Sequence, residues 1–284
     1  MTLIAGFMRE GCPILMGDIL ISNRLEFAKD LTIPTIGRVS SDDLKNGIYQ
    51  PTAFSQKINL LSPQLALAWS GNLLEAKNFM TQVIGANLHN NPSREAIIEI
   101  FNDSAPDDLY VIGLLRDGKN LTLFDINCEK VDLQDSRFSW FKAGGTGYHR
   151  LTNTISEINS KLTSGTLNKL ENGISAALQI STSLLSLELQ TGTTLHELFG
   201  AGYEILYPLG SGLSKFTDLT YYFWSAEERS AGKWYLSTPF LAMKYSYHKD
   251  ILIIRCARLS RNSNNRTMAI KIESDELHII MPVK

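Results

Sequence analysis

Thr2 stands directly behind Met1, and the run that contains it, MTLIAGFMREGCPILMGDILIS, is two strand-like segments around one turn. An N-terminal hairpin alone would accept any residue at position 2. A threonine freed to become the first residue would make the start of the chain a reactive site. Treated as a nucleophile, Thr2 is followed at ordered distances by residues that could serve it. Asp18 lies 16 positions later, at the end of the second apolar run, and Ser22 four positions beyond the acid. Lys57 opens a third apolar run, and Gly71, 14 positions further on, closes a fourth. Each of these has a plainer reading when taken alone: Asp18 as a turn residue, Lys57 as a solvated strand charge, Gly71 as a strand terminator.

The elements that would position these residues are readable as hydrophobic runs. TLIAGFM and PILMGDILIS flank the Gly-containing turn REGC, and their near-continuous apolar character is that of strands buried on both faces. Residues 23 to 50 carry charges without a sustained period and read as a long loop or insertion with at most one short strand. QKINLL and QLALAWSG form a second hairpin turned at Ser62-Pro63. A helix follows Gly71, with Leu74, Phe79, Met80, Val83 and Ile84 on one face, and another follows Asn91 as cap and Pro92 as first helical residue. Strands return at DLYVIGLLRDGKNLTLFDI and FSWFKAGGTG, then two helices over YHRLTNTISEINSKL and LNKLENGISAALQISTSLLSLEL, then a β-rich remainder from about Phe199. YPLGSGLS marks either a linker to an appended β element or a long loop. The aromatic runs YYFW and KWYL beyond it are expected in the core rather than on a partner surface, since aromatics at strand spacing are mostly buried.

This combination resembles the proteasome β-subunit and HslV group of N-terminal nucleophile (Ntn) hydrolases. In those proteins the mature chain begins with Thr, runs through a hairpin to an Asp at this spacing, and continues through a Lys-apolar strand to a Gly-rich strand-to-helix turn; KINLLSPQLALAWSGN has that form. The likeness covers roughly residues 2 to 205, including KAGGTG and the second helix pair. It implies an α+β fold, a four-layer αββα sandwich, over a domain spanning 1–207 with an insertion at about 23–50. A β-rich extension at 208–284, possibly continuous with the same domain, completes the chain.

The function the resemblance implies is that of a threonine-type peptidase or amidohydrolase, with Thr2 exposed by removal of Met1. A threonine hydroxyl needs a base, and a freed α-amine with an ordinary pKa of about 7.7 to 8.0 suits that task. Lys57 would supply a fixed positive charge beside the hydroxyl, Asp18 would pair with Lys57, and the Gly71 N–H would receive the oxyanion. Ser22 would hold the substrate backbone as an added strand, and Trp69 falls where a substrate side-chain pocket lies in the family. Gly145 stands where the family has a serine, with Thr146 beside it, and GTTLHELFGAGYEILY offers His196 and Glu197 but no aspartate in place of a further family acid. Those departures motivate the alternative, a catalytically silent proteasome-like scaffold or protein-binding subunit. No cofactor is implied, because nucleophile, base and oxyanion donor all come from the chain.

Composition narrows the partners. A net charge of −2 gives no general pull toward nucleic acid or anionic membrane. Arg9, Glu10 and Asp18 interrupt the most apolar stretch, so neither a membrane span nor a signal peptide is expected, and the expected location is the cytoplasm. Cys12, Cys128 and Cys256 read as reduced buried thiols, and no metal site is expected from these cysteines or from the five histidines. The expected partners are a peptide or protein substrate and further copies of the chain in a homo-oligomer.

Overall fold

A computed structural model of the chain describes residues 2–24, 29–133, 137–158, 168–230, 232–261 and 270–283. Met1, part of the expected 23–50 insertion and the end of the helix expected after Tyr148 lie outside the described residues.

The chain opens with the hairpin β1 (Ile4–Arg9) and β2 (Cys12–Asp18). Its two-residue turn, Glu10 and Gly11, has φ of 50° and 84°, the left-handed pair that matches the twist of the flanking strands. Next come β3 (Leu20–Arg24), β4 (Asp30–Ile33), β5 (Gly37–Ser40), a 3-10 turn at Ser41–Leu44, and β6 (Tyr49–Phe54). The hairpin β7 (Ile58–Ser62) and β8 (Leu65–Gly71) leads into α1 (Leu73–Gly85) and α2 (Arg94–Ser104). Then follow β9 (Leu109–Asp117), β10 (Asn120–Ile126), β11 (Glu129–Lys130), β12 (Phe138–Gly144), α3 (Tyr148–Ile158), α4 (Lys169–Thr191) and the single turn α5 (Thr193–His196). The chain ends with β13 (Tyr203–Leu209), β14 (Gly212–Lys215), β15 (Leu219–Ser230), β16 (Lys233–His248), β17 (Ile251–Arg261) and β18 (Ile270–Ile280).

These strands form five sheets with antiparallel pairing: β11-β12-β1-β2-β13-β14, β10-β9-β8-β7, β15-β16-β17-β18, and the pairs β3-β6 and β4-β5. Strands hold 51% of the described residues and helices 26%. The expected α+β four-layer αββα sandwich is therefore the wrong class for this chain, which is mostly β, with small separate sheets and, among the described residues, five helices. The physical source of the difference is the segment 20–54 and everything after Tyr203. The stretch 23–50, expected to be a loop or insertion with at most one short strand, carries β4, β5 and the ends of β3 and β6, and the C-terminal region adds six more strands, several of them long.

The apolar runs of β1 and β2 are explained by burial on both faces. Ile4 and Leu15 meet Ile58, Ala66, Ala68, Ile112 and Leu114 of the β7–β10 sheet. Leu3, Ala5, Phe7, Ile14 and Met16 point the other way, into a cluster with Leu151 and Ile155 of α3 and Ala176, Ile180 and Leu184 of α4. A third cluster joins Leu67, Trp69 and Val111 to Phe79, Met80 and Val83 of α1 and Phe101 of α2. The cap of α2 differs from the expected one: Ser93, two residues past Asn91, accepts the Ala96 N–H, leaving Asn91 and Pro92 before the helix. Asn168 and Glu171 close a capping box at the start of α4, and Gly192 in left-handed conformation ends it.

The C-terminal sheet shares the α3/α4 cluster. Tyr221, Phe223, Leu241, Met243, Tyr245, Leu252, Ile254 and Ile280 are buried in it, and Tyr221 and Ser181 of α4 share a hydroxyl hydrogen bond of 2.9 Å. The aromatic runs alternate: Tyr221 and Phe223 face this core, whereas Tyr222, Trp224, Trp234 and Tyr235 are exposed, so burial of the whole runs does not hold. The structure also runs β13 straight through the 207/208 boundary. Truncating Ile254, which is wholly buried, to Ala should cost about 2–5 kcal/mol and leave one cooperative urea transition. Two separate transitions would show that the C-terminal sheet folds apart from the rest.

Candidate functional site

Thr2 is held at the entrance to β1 by its backbone and its hydroxyl. Its carbonyl accepts the Gly147 N–H at 3.4 Å, and its Oγ1 accepts the Gly71 N–H at 3.3 Å. Both neighbours at this point must be glycine. Gly71 has φ +105°, and a Cβ there would lie 2.1 Å from the Asp108 carbonyl oxygen; Gly145 has φ +94°, and a Cβ there would lie 2.1 Å from the Thr2 carbonyl oxygen. Immediately after Gly71, the Asn72 side chain accepts the Leu74 and Glu75 N–H groups and starts α1, so the positive end of that helix lies beside the Thr2 hydroxyl.

Asp18 is wholly buried and locks the strand that carries Thr2. Its Oδ1 accepts the Leu3 N–H at 3.0 Å, its Oδ2 accepts the Gly200 N–H at 2.8 Å, and its own N–H donates to the Leu3 carbonyl. Burial pushes its pKa up to about 6, against the opposing attraction of Lys57 and the two N–H donors. Lys57 is also wholly buried, and its Nζ has no hydrogen-bond partner among the described residues. The ammonium nitrogen lies 4.1 Å from the centroid of the Trp69 ring. Burial pushes Lys57 down to about 7, with Asp18 and then Glu204 pulling the other way. Asp18 accepts the two backbone N–H groups and makes no hydrogen bond to Lys57, attracting it only through its charge, and burial works against the charged form of Lys57.

The remaining expected residues are distributed around this centre. Thr2 and Gly71 line a cleft of about 650 Å³ together with Ser22, Arg24, Tyr49 and Asn72. A second hollow of about 280 Å³, lined by Gly145, Thr146, Tyr110 and Tyr148, also reaches Gly71. Thr146 turns its hydroxyl to the Glu197 carbonyl at 3.1 Å. Trp69 does not line the cleft; its indole N–H donates to the Gln56 carbonyl at 3.2 Å and its ring forms the floor under Lys57. Glu197 is engaged with Arg150.

Three residues at or behind the site escaped the sequence reading. Ser70 is wholly buried, with an unpartnered hydroxyl 3.0 Å from the position a Gly145 Cβ would take. Glu188 of α4 accepts the Thr194 hydroxyl, the Thr35 hydroxyl and the Ala201 N–H, and so fixes the segment whose Gly200 N–H binds Asp18. Burial raises Glu188 to about 7. Glu204 is an acid inside the apolar run YEILY, and that isolated charge was the available signal.

No protein-family model matches the chain, and no curated protein matches it. Among the described residues, no helix is long and apolar enough to cross a membrane.

Asp18 titrates at about 6 in the folded chain and at its ordinary 3.8 when exposed. Between those values the folded state binds more protons than the unfolded one, so this group's contribution to stability rises as pH falls from about 6 to about 4. The parent should therefore gain on Asp18→Asn by up to about 1.4 kcal/mol per pH unit across that window. Urea midpoints of both proteins at several pH values check this, and a pH-independent difference would show that Asp18 titrates at its ordinary value.

Proposed function

We propose that the chain is an N-terminal threonine hydrolase, like the proteasome β-subunit and HslV enzymes in its chemistry, that cleaves a peptide or amide bond after removal of Met1 frees Thr2. Two observations carry this reading. A backbone N–H is directed at the Thr2 hydroxyl, and Asp18, which binds the N–H of the next residue, Leu3, also attracts the wholly buried Lys57 amine, which has no hydrogen-bond partner among the described residues. An unpaired buried amine is costly as a structural device, whereas an amine poised near neutrality is suited to exchanging a proton.

In this reading Thr2 Oγ1 bonds to the substrate carbonyl carbon while its proton passes to neutral Lys57. The carbonyl electron pair moves to oxygen, which the Gly71 N–H receives; one such donor is typically worth about 3–4 kcal/mol. The C–N bond then breaks, the proton leaves with the amine, and an ester on Thr2 remains. Water hydrolyses that ester, with the freed Thr2 amine as base. A peptide in extended form suits the cleft. Ser22 of β3 lines the cleft beside Gly71, where an extended substrate would run. Action in the cytoplasm and assembly as a homo-oligomer belong to the same reading.

A second reading, the silent binding subunit, is favoured by one feature. The hairpin joining β15 and β16 exposes Trp224, Trp234, Tyr235 and Leu236, the last at 71%. The two readings separate on turnover. On fluorogenic peptides the parent should show kcat/KM rising with pH through about 7, and Thr2→Ala should show no turnover. Lys57→Arg, permanently charged, should lose on the order of 10²–10⁴-fold. Intact turnover by Thr2→Ala would sink the hydrolase reading, and full activity in Lys57→Arg would restore the fixed-charge role.

A further inference from the structure

Glu204 of β13 is buried and accepts four hydrogen bonds. Its Oε2 takes the backbone N–H of Lys57 at 2.8 Å and of Ile58 at 3.2 Å. Its Oε1 takes Lys215 Nζ at 2.7 Å and the Tyr247 hydroxyl at 2.9 Å. Gln56, one residue before Lys57, reinforces the same point. Its side-chain oxygen accepts from Lys215, and its amide nitrogen donates to the Asp250 and Ile280 carbonyls, each at 2.7 Å. The stretch 56–58 is thus clamped between β13 and β14 on one side and the C-terminal sheet on the other.

A carboxylate that served only to bridge elements could sit anywhere along β7. This one binds the backbone N–H of the residue whose buried side-chain amine has no hydrogen-bond partner among the described residues. We propose that Glu204 is a positioning residue for Lys57: it fixes the backbone that aims the amine and supplies the negative charge that governs how readily the amine gives up its proton. Lys215 and Tyr247 hold the Glu204 carboxyl in place through hydrogen bonds, which makes the C-terminal sheet part of the apparatus that tunes the site. The inference rests on the reading of Lys57 as the proton acceptor for Thr2.

The charged groups acting on Lys57 come from three directions. Asp18 of β2 attracts its ammonium form, with Glu188 of α4 behind Asp18; Glu204 does the same from β13, with Lys215 and Tyr247 behind it. The freed Thr2 amine would join them. Glu204 and Lys215 therefore act on Lys57 with opposite sign. Removing the carboxylate should make Lys57 lose its proton more easily. Removing Lys215 takes away a positive charge while Glu204 keeps its two backbone N–H donors and the Tyr247 hydroxyl, so Lys57 should hold its proton more tightly. A structural role alone has no such sign reversal.

The test follows the Lys57 side-chain signal by NMR during a pH titration of the full chain labelled at lysine, with Lys57→Arg identifying the signal. Glu204→Gln should lower the Lys57 midpoint by about one pH unit, and Lys215→Met should raise it by a comparable amount. Lys215 borders a cavity of about 240 Å³, so methionine is accommodated there and decides the matter alone if Glu204→Gln does not fold. Midpoints that move in the same direction, or a Lys215→Met midpoint equal to that of the parent, would overturn the proposal. Opposite shifts in a chain that turns over no peptide would uphold the link from Glu204 to Lys57 while removing the hydrolase reading.

Discussion

Taking an amine out of water costs several kcal/mol unless it is neutralised or compensated, and Lys57 is wholly out of water with no hydrogen-bond partner among the described residues. Much of the surrounding structure answers to that one constraint. The Trp69 ring offers its negative face, Asp18 offers charge without contact, and Glu204 grips the backbone at the same residue. None of these replaces water fully, and the amine is left close to the point where it carries or lacks its proton with little bias. That condition is unfavourable for packing, and under the proposed reading it suits proton exchange.

The supports of Lys57 and Asp18 lie far apart in sequence. Asp18 depends on Gly200, Gly200 on the segment held by Glu188, and Glu188 on Thr35 from the arm between β4 and β5. The Thr35 carbonyl in turn accepts from Arg258 of β17 at 3.1 Å. The arm and the C-terminal sheet, which contribute none of Thr2, Asp18, Lys57 and Gly71, are thus tied to the candidate site through buried polar groups. Buried networks of this kind hold one geometry when every member is satisfied.

What the sequence made legible follows from how strongly each segment is buried. β1, β2 and β8 are covered on both faces, so their apolar runs announced them, and α4 carried both its cap and its terminating glycine. The stretch 23–50 was read as a loop because β4 and β5 form a small separate pair whose exposed positions carry Asp30 and Arg38; no continuous period survives in so shallow a sheet. The β-rich tail was visible, but its weight in the fold was not, and with it the class of the whole. At the site, the order Thr2, Asp18, Lys57, Gly71 was readable as spacing. The absence of a direct contact between Asp18 and Lys57 was not, since it depends on N–H groups of Leu3 and Gly200 that no side-chain pattern encodes. Glu204 was legible in principle, as a charge in an apolar strand.

The account turns on whether Thr2 carries the free amine and hydroxyl together, and the most direct measurement is the intact mass of the purified protein with its N-terminal sequence. The account predicts a chain that begins at Thr2. A chain that retains Met1 throughout would leave the amine on the wrong residue and contradict it.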